Sequence, residues 1–308
     1  MEYRHTTVLL HEAVEQLLTD PDGIYADCTL GGAGHTALLL SCLSPKGRVI
    51  GIDRDETALN HARETIRDDR LILRKDNFSS IAEAVREIAP DGISGILADL
   101  GVSSPQLDDP SRGFSYSADA RLDMRMDRSQ PFSAYDVVNG YSREDLARII
   151  RDYGEERFAG RIAEHICRAR ERAPIETTSQ LTAVVASAVP KQDKREGHSC
   201  KRTYQAIRIE VNSELSSISE MIEAGIPCLK SGGRMVIITF HSLEDRIVKN
   251  AFHDAENPCV CPKDFPVCVC GRKPTVRVLT RKPILPSEEE IRTNNRAHSA
   301  KMRVCEKL

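Results

Sequence analysis

The stretch Ile24-Tyr25-Ala26-Asp27-Cys28-Thr29-Leu30-Gly31-Gly32-Ala33-Gly34-His35-Thr36 decides the fold. A short apolar run leads straight into a glycine-rich turn, and Ala37 to Leu43 then reads as a helix. The alternation continues. Arg48 to Ile52 is a strand ending at Asp53, Glu56 to Ile66 a helix, and Leu71 to Arg74 a strand. Ile81 to Ile88 is a helix with Ser79 or Ser80 as its cap, and Ile93 to Ala98 is a fourth strand. This β-α-β-α order predicts a parallel sheet with helices on both faces.

Gly31-Gly32-Ala33-Gly34 lies between strand and helix. At such a turn backbone N–H groups face a ligand, and the missing side chains let it come close. Gly32-x-Gly34-x-x-Ala37 fits the dinucleotide fingerprint loosely. Asp53 follows about 20 residues on, where an acid accepts hydrogen bonds from both ribose hydroxyls. A nucleoside-containing ligand is expected. A nicotinamide dinucleotide and S-adenosylmethionine both fit. The acidity of the first hundred residues favours the second, which has no phosphate and carries a cationic sulfonium. The third strand end, Lys75-Asp76-Asn77-Phe78, offers a ring and amides to an adenine.

The fourth strand runs into Asp99-Leu100-Gly101-Val102-Ser103-Ser104-Pro105-Gln106. An acid closes a strand that has no other charge, and a turn with two hydroxyls, a proline and an amide follows. Ligands of α/β sheets sit at the carboxyl ends of strands. A rigid Ser-Ser-Pro turn there can hold a planar amine against a second bound molecule. Asp and Ser-Pro are also ordinary strand-ending turn chemistry.

The chain has 308 residues, 40% of them apolar, and no tryptophan. No apolar run approaches the roughly 18 residues of a membrane span. Met1-Glu2-Tyr3-Arg4-His5 lacks an apolar signal region, so a soluble cytoplasmic protein is expected. Charge is unevenly spread. Residues 1–106 hold 10 Lys/Arg against 17 Asp/Glu, a net of -7, and residues 271–308 hold 10 against 4, a net of +6. Residues 107–202 hold 17 basic side chains, 14 of them arginine. Arginine forks suit phosphate, so a polyanionic partner is expected, although many of these arginines read as solvated helix faces.

Beyond residue 106 the strand rhythm stops. Residues 107–202 show polar turns and helical periodicity at Glu144 to Ile150, Glu155 to Arg172 and Ser179 to Ala188. Residues 191–198 read as a mobile basic loop. The α/β pattern returns with a long helix from Tyr204 to Leu229, ended by Gly232-Gly233, and a strand from Arg234 to Phe240. Ser242 caps the next helix, Leu243 to Phe252. Val276 to Leu279 and Lys301 to Glu306 complete the sheet.

Ten cysteines in a long chain without a secretion signal point to reduced thiols or metal. Cys259-Val260-Cys261 and Cys268-Val269-Cys270 form a CxC-x6-CxC pattern punctuated by prolines. Four thiolates can hold structural zinc tetrahedrally. A reduced, solvent-facing loop is the other reading, since zinc pairs are more often CxxC.

Seven blocks together carry a resemblance: His5 to Leu10, Gly31 to His35, Asp99 to Asp108, Leu122 to Asp127, Tyr153 to Ala159, Arg202 to Ala206 and Phe240 to Arg246. Over nearly the whole chain they closely resemble the RsmH (MraW) family, bacterial small-subunit ribosomal RNA cytosine-N4 methyltransferases. The resemblance implies an α/β, class I (Rossmann-like) S-adenosylmethionine-dependent sheet with an inserted, mostly helical substrate domain. The methyltransferase domain is then residues 1–106 with 203–308, and the insert residues 107–202. Cofactor contacts fall on Ala33, Gly34, His35, Asp53, Phe78, Asp99 and Gln106. The acceptor is the exocyclic amine of a cytidine in the decoding region of 16S rRNA in the small ribosomal subunit.

The chemistry has its own logic. The N4 lone pair is delocalised into the ring, so a group must hold an amine hydrogen and turn the lone pair toward the methyl donor. Asp99 or nearby backbone carbonyls can do so, which makes Asp99 the expected catalytic residue. The Ser-Ser-Pro turn resembles the Pro-Pro-aromatic loop of amino-methylating DNA enzymes, but Gln106 stands where those continue with proline or an aromatic. Arg202, Thr203, Gln205 and His241 can contact RNA, and His241 can instead cap the helix at Ser242. Arg121, Arg125 and Arg128 can grip phosphates or pair internally with Asp123 and Asp127. A nicotinamide oxidoreductase and a non-catalytic RNA-binding protein are the competing readings. Monomer and homodimer are both compatible with the sequence.

Overall fold

The computed structural model describes residues 7–190, 198–262, 267 and 269–308. They divide into two units, Met1–Gly101 with Leu215–Leu308, and Val102–Glu214. The first holds strands β1 (Ile24–Asp27), β2 (Arg48–Asp53), β3 (Leu71–Lys75), β4 (Ile93–Asp99), β5 (Leu229–Thr239), β6 (Val276–Val278) and β7 (Lys301–Lys307). In chain order the helices are α1 (Leu10–Leu17), α2 (Gly34–Cys42), α3 (Glu56–Thr65) and α4 (Ile81–Ile88). The second unit follows with α5 (Ser104–Asp108), α6 (Ala134–Gly140), α7 (Arg143–Asp152), α8 (Ala159–Arg170), α9 (Thr178–Ala188) and α10 (His198–Asn212). The last three are α11 (Glu214–Cys228), α12 (Ser242–Glu256) and α13 (Glu288–Thr293).

The strand order is β3-β2-β1-β4-β5-β7-β6. β1 to β5 are mutually parallel, and β7 runs antiparallel to both β5 and β6. Successive strand residues enter two apolar layers. Tyr25, Val49, Leu97 and Val236 pack with Val14 and Leu17 of α1 and Leu39 of α2. Ala26, Ile50, Ile96 and Met235 pack with Ile81 of α4, Ile222 of α11 and Phe252 of α12. A sheet covered on both faces needs apolar side chains at every position, which is why these strands read as unbroken apolar runs. Because β2 and β4 leave β1 in opposite directions, the sheet has its topological switch point at the carboxyl ends of β1 and β4.

The second unit has its own core. Leu146, Ile149, Ile162, Ile166, Leu181, Val185 and Ile207 close it from four helices. The segment Leu122 to Met126 is locked against it by hydrogen bonds. Asn212 accepts from Met126 N at 2.8 Å and donates to Met124 O at 2.8 Å, and Arg112 donates to the Arg125 and Met126 carbonyls at 3.0 Å. Arg125 forks onto Asp123 at 2.8 and 2.7 Å and also reaches the Gln130 carbonyl. Of the three arginines considered for phosphate, Arg125 is therefore an internal fastener.

Several expectations shift. The unit boundaries fall at Gly101/Val102 and Glu214/Leu215, not at 106/107 and 202/203. Val102 and Leu107 pack on the helical core, and Tyr204, Ala206 and Val211 of α10 are part of it. The single helix from Tyr204 to Leu229 is two, broken at Ser213, whose φ of 50° is left-handed. Lys230 to Gly233 bulge within β5, since Ile93 faces Leu229 but Gly95 faces Arg234. Ser80 stands at the N-cap of α4, as expected, but makes no side-chain cap bond, and Asn77 caps the short turn Phe78–Ser80 before it, accepting from Ser79 N at 3.1 Å. Residues 191–197 of the expected basic loop lie outside the described residues, and His198 begins α10. No described helix is long and apolar enough to cross a membrane.

Candidate active site

Three of the parallel strands in the first unit end in an acid: Asp27 on β1, Asp53 on β2 and Asp99 on β4. Asp27 is buried. It accepts from the Thr36 hydroxyl at 2.6 Å and from Thr29 N at 3.1 Å. Burial pushes its pKa up, against the pull of those two hydrogen bonds. Thr29 Oγ1 in turn accepts from Asp99 N at 2.5 Å, which stitches β1 to β4 at the switch point. Sequence reasoning passed over Asp27, Thr29 and Thr36. The signal was present, since an acid ends β1 just as it ends β2 and β4.

The glycine turn is held in place from β2. Asp53 accepts from Gly31 N at 2.9 Å and from Asp55 N at 2.8 Å, one bond to each carboxylate oxygen. A second lone pair on each oxygen can take a ribose hydroxyl. Desolvation pushes Asp53 from 3.8 up to about 6, with the two backbone bonds opposing. Gly31 has φ 47° and Ala33 φ 59°. Ala33 caps α2 without a side-chain hydrogen bond, so nothing from the cap residue covers the donors of the first turn. A Cβ on Gly34 would lie 2.0 Å from Thr7 Oγ1, so the position admits only glycine as Thr7 stands.

His35 is buried, with Nε2 3.2 Å from the Val8 carbonyl. A carbonyl only accepts, so Nε2 carries the proton, and the other ring nitrogen, Nδ1, lies 3.9 Å from Asp99 Oδ2. Phe78 is half-buried at the end of β3, under the Arg54 guanidinium at 5.6 Å.

Asp99 Oδ1 is buried and finds no hydrogen-bond partner among the described residues. Burial, then the charges of Asp27 and Glu244, hold this carboxyl well above the usual carboxylate range. An orphaned acceptor beside two other acids suits an amine, an ammonium or a sulfonium. Gly101, with φ 98°, turns the chain immediately after, and a Cβ there would meet the Phe240 ring at 3.4 Å.

His241 caps α12. Its Nδ1 accepts from Glu244 N at 3.4 Å, its Nε2 lies 3.1 Å from Glu244 Oε1, and Glu244 accepts from Phe240 N at 2.7 Å. The cap expected at Ser242 is therefore one residue earlier, and this histidine is built into the fold.

The remaining expected residues belong to the second unit. Ser103 and Gln106 form a capping box that opens α5, with Gln106 Oε1 accepting from Ser103 N at 3.1 Å, so the Ser-Ser-Pro turn is the start of a short helix. Arg202 is exposed, 3.7 Å from Glu156, which is buried. Gln205 donates to the Tyr153 carbonyl at 2.9 Å. Thr203 is buried and donates its hydroxyl to the Ser199 carbonyl at 2.7 Å, so its position corrects the expectation of an RNA contact. It faces the helical core, one turn after Cys200.

The cysteines form a separate cluster. Cys259, Cys261 and Cys270 bring their sulfurs within 4.8 Å of one another. Cys268 lies outside the described residues.

Residues 2–308 match the family described as MraW methylase. The chain belongs to the MraW methylase family. It is 51% identical over 309 residues to ribosomal RNA small subunit methyltransferase H of Clostridium botulinum (strain Loch Maree / Type A3), covering all of both chains. It is 52% identical to the proteins of that name from Brevibacillus brevis, over all of this chain and 99% of the relative, and from Clostridioides difficile, over all of both chains. Among solved structures, an rRNA methylase from Streptococcus thermophilus aligns over 96% of this chain and 92% of its own, at 13% identity and a TM-score of 0.41. As an MraW methylase this chain is an enzyme, and the acid-rich carboxyl edge of its first unit is its candidate centre.

Proposed function

We propose that this MraW methylase transfers a methyl group from S-adenosylmethionine to the exocyclic N4 amine of a cytidine in the decoding region of small-subunit ribosomal RNA. The observation that carries the reading is Asp99 Oδ1, a buried acceptor with no partner among the described residues, at the switch point of the sheet. The names of the relatives supply the substrate class. A reaction on ribosomal subunits belongs in the cytoplasm.

When bound, S-adenosylmethionine supplies a methyl group already activated on a cationic sulfur. The chain's task is binding, alignment and proton handling. Asp53 accepts the ribose hydroxyls, the turn from Gly31 to His35 presents backbone N–H groups, and Phe78 offers its ring to the adenine. The acids around Asp99 favour positive charge on the ligand. Asp99 Oδ1 accepts a hydrogen from the cytosine amine, which turns the nitrogen lone pair toward the methyl donor. As the new N–C bond forms, the amine's surplus proton leaves by way of that carboxyl. The target base must leave its stack, at about a few kcal/mol. The helical unit is the RNA-recognition part, with Arg202 and Gln205 as its contacts and Gln106 as a support of the loop after Asp99. The transfer itself needs no metal, so any ion held by Cys259, Cys261 and Cys270 is structural.

The test is methyl transfer to assembled small subunits with labelled S-adenosylmethionine, followed by nucleoside analysis. N4-methylcytidine is expected. Methylation at a ring carbon, or no transfer despite tight cofactor binding, overturns the mechanism. Preference for NAD over S-adenosylmethionine and S-adenosylhomocysteine in a titration would point instead to an oxidoreductase.

A further inference from the structure

Between α12 and β6 the described valines gain nothing from apolar burial. Val260, Val267 and Val269 are 63%, 70% and 72% exposed, while the flanking thiols of Cys259, Cys261 and Cys270 converge. Something other than apolar burial fixes this loop.

The sulfur geometry says what. The Cys259 and Cys270 sulfurs are 3.9 Å apart. That is too far for a disulfide, whose sulfurs lie about 2.05 Å apart. Tetrahedral zinc with Zn–S bonds of about 2.3 Å separates its sulfurs by about 3.8 Å. Cys261 Sγ also accepts a hydrogen bond from Val269 N at 3.3 Å. A backbone N–H directed at sulfur steadies thiolate charge, the form that binds metal. Soft thiolate donors select zinc over the hard, oxygen-seeking cations.

We infer that Cys259, Cys261 and Cys270 hold a structural zinc ion that closes the loop between α12 and β6. Binding converts three thiols to thiolates and releases three protons to solvent, with no change of oxidation state.

The full chain, purified without chelator under reducing conditions, is analysed by inductively coupled plasma mass spectrometry. About one zinc per chain is expected. Cys259→Ser, Cys261→Ser and Cys270→Ser should each lose most of it, whereas Cys42→Ser, whose residue is exposed and outside the cluster, should keep it. Replacing zinc with cobalt should give the sulfur-to-metal charge-transfer band of a thiolate site, absent in the triple Ser variant. Circular dichroism and S-adenosylhomocysteine affinity check that the variants fold. Metal-free protein that also takes up no added zinc, zinc retained by the folded triple Ser variant, or a Cys259–Cys270 disulfide in peptide mapping of the reduced preparation would each overturn the assignment.

Discussion

Asp99 Oδ1 is shut away from water and from every described donor, while Asp27 and Glu244 add negative charge around it. Replacing this carboxylate with an amide keeps the shape and removes the charge. Asp99→Asn should lower methyl transfer by about 10²-fold or more, the scale of a lost proton-handling group, in a single-turnover assay. Its urea midpoint should not fall, because a buried acid among acids costs the folded state. A fall in the midpoint as large as the fall in activity would mean that Asp99 acts through the fold.

Asp53 gives a pH signature. Its folded value of about 6 lies above the ordinary 3.8. Between those values the folded protein keeps a proton that the unfolded chain has released. Stability attributable to Asp53 is therefore present below about pH 4 and falls as pH rises to about 6. Asp53→Asn should flatten that part of a stability–pH curve. Ribose hydroxyls donate to the ionised carboxylate, so cofactor affinity should strengthen as pH rises from about 5 to about 7, with proton release seen by calorimetry in two buffers. An affinity independent of pH in this window would remove Asp53 from the ribose.

At the scale of elements, two tight junctions are exposed to test. A Cβ on Gly154 would lie 2.6 Å from the Ile150 carbonyl and 2.7 Å from the Arg202 carbonyl, both backbone atoms that cannot step aside. Gly154→Ala should cost the helical unit about 1–3 kcal/mol in thermal unfolding. At α12, His241→Ala removes the cap and should cost about 1 kcal/mol, whereas His241→Asn, which also caps, should recover most of it. If both variants fold like the parent yet lose RNA affinity equally, His241 is a ligand contact and not a cap.

These elements also mark what the sequence discloses. The strands and the glycine turn were legible because a sheet covered on both faces demands apolar runs, and parallel connections put Asp53 and Asp99 at carboxyl ends. The break at Ser213 was not, because apolar spacing continues across it and one left-handed residue leaves no trace in periodicity. α6 is seven residues with adjacent Val137 and Val138, too short to show a period. Thr203 departs from its expected exposure because of its register on α10. Cys200, Tyr204, Ile207 and Val211 share the buried face of α10, and residue 203 lies on it.

For the whole molecule, charge is unevenly spread along the chain. Residues 271–308 carry a net +6 and residues 1–106 a net -7. RNA affinity should fall steeply with added salt, as released counterions require, while S-adenosylhomocysteine affinity should barely move. Equal salt dependence of the two would assign RNA binding to contacts other than charge.

The place of β7 has a consequence for synthesis. Thr239 of β5 pairs with Lys301 of β7, 62 residues further along the chain. At about 5–20 residues per second, a ribosome takes several seconds to cover that interval. Until then Met235 to Ile238 form an apolar sheet edge without its neighbour, and an unpaired edge invites pairing with other chains. A stall anywhere in that interval would leave a nascent chain whose first four strands can pair while its fifth stays adhesive. The open edge of β5 is therefore a hazard of late translation.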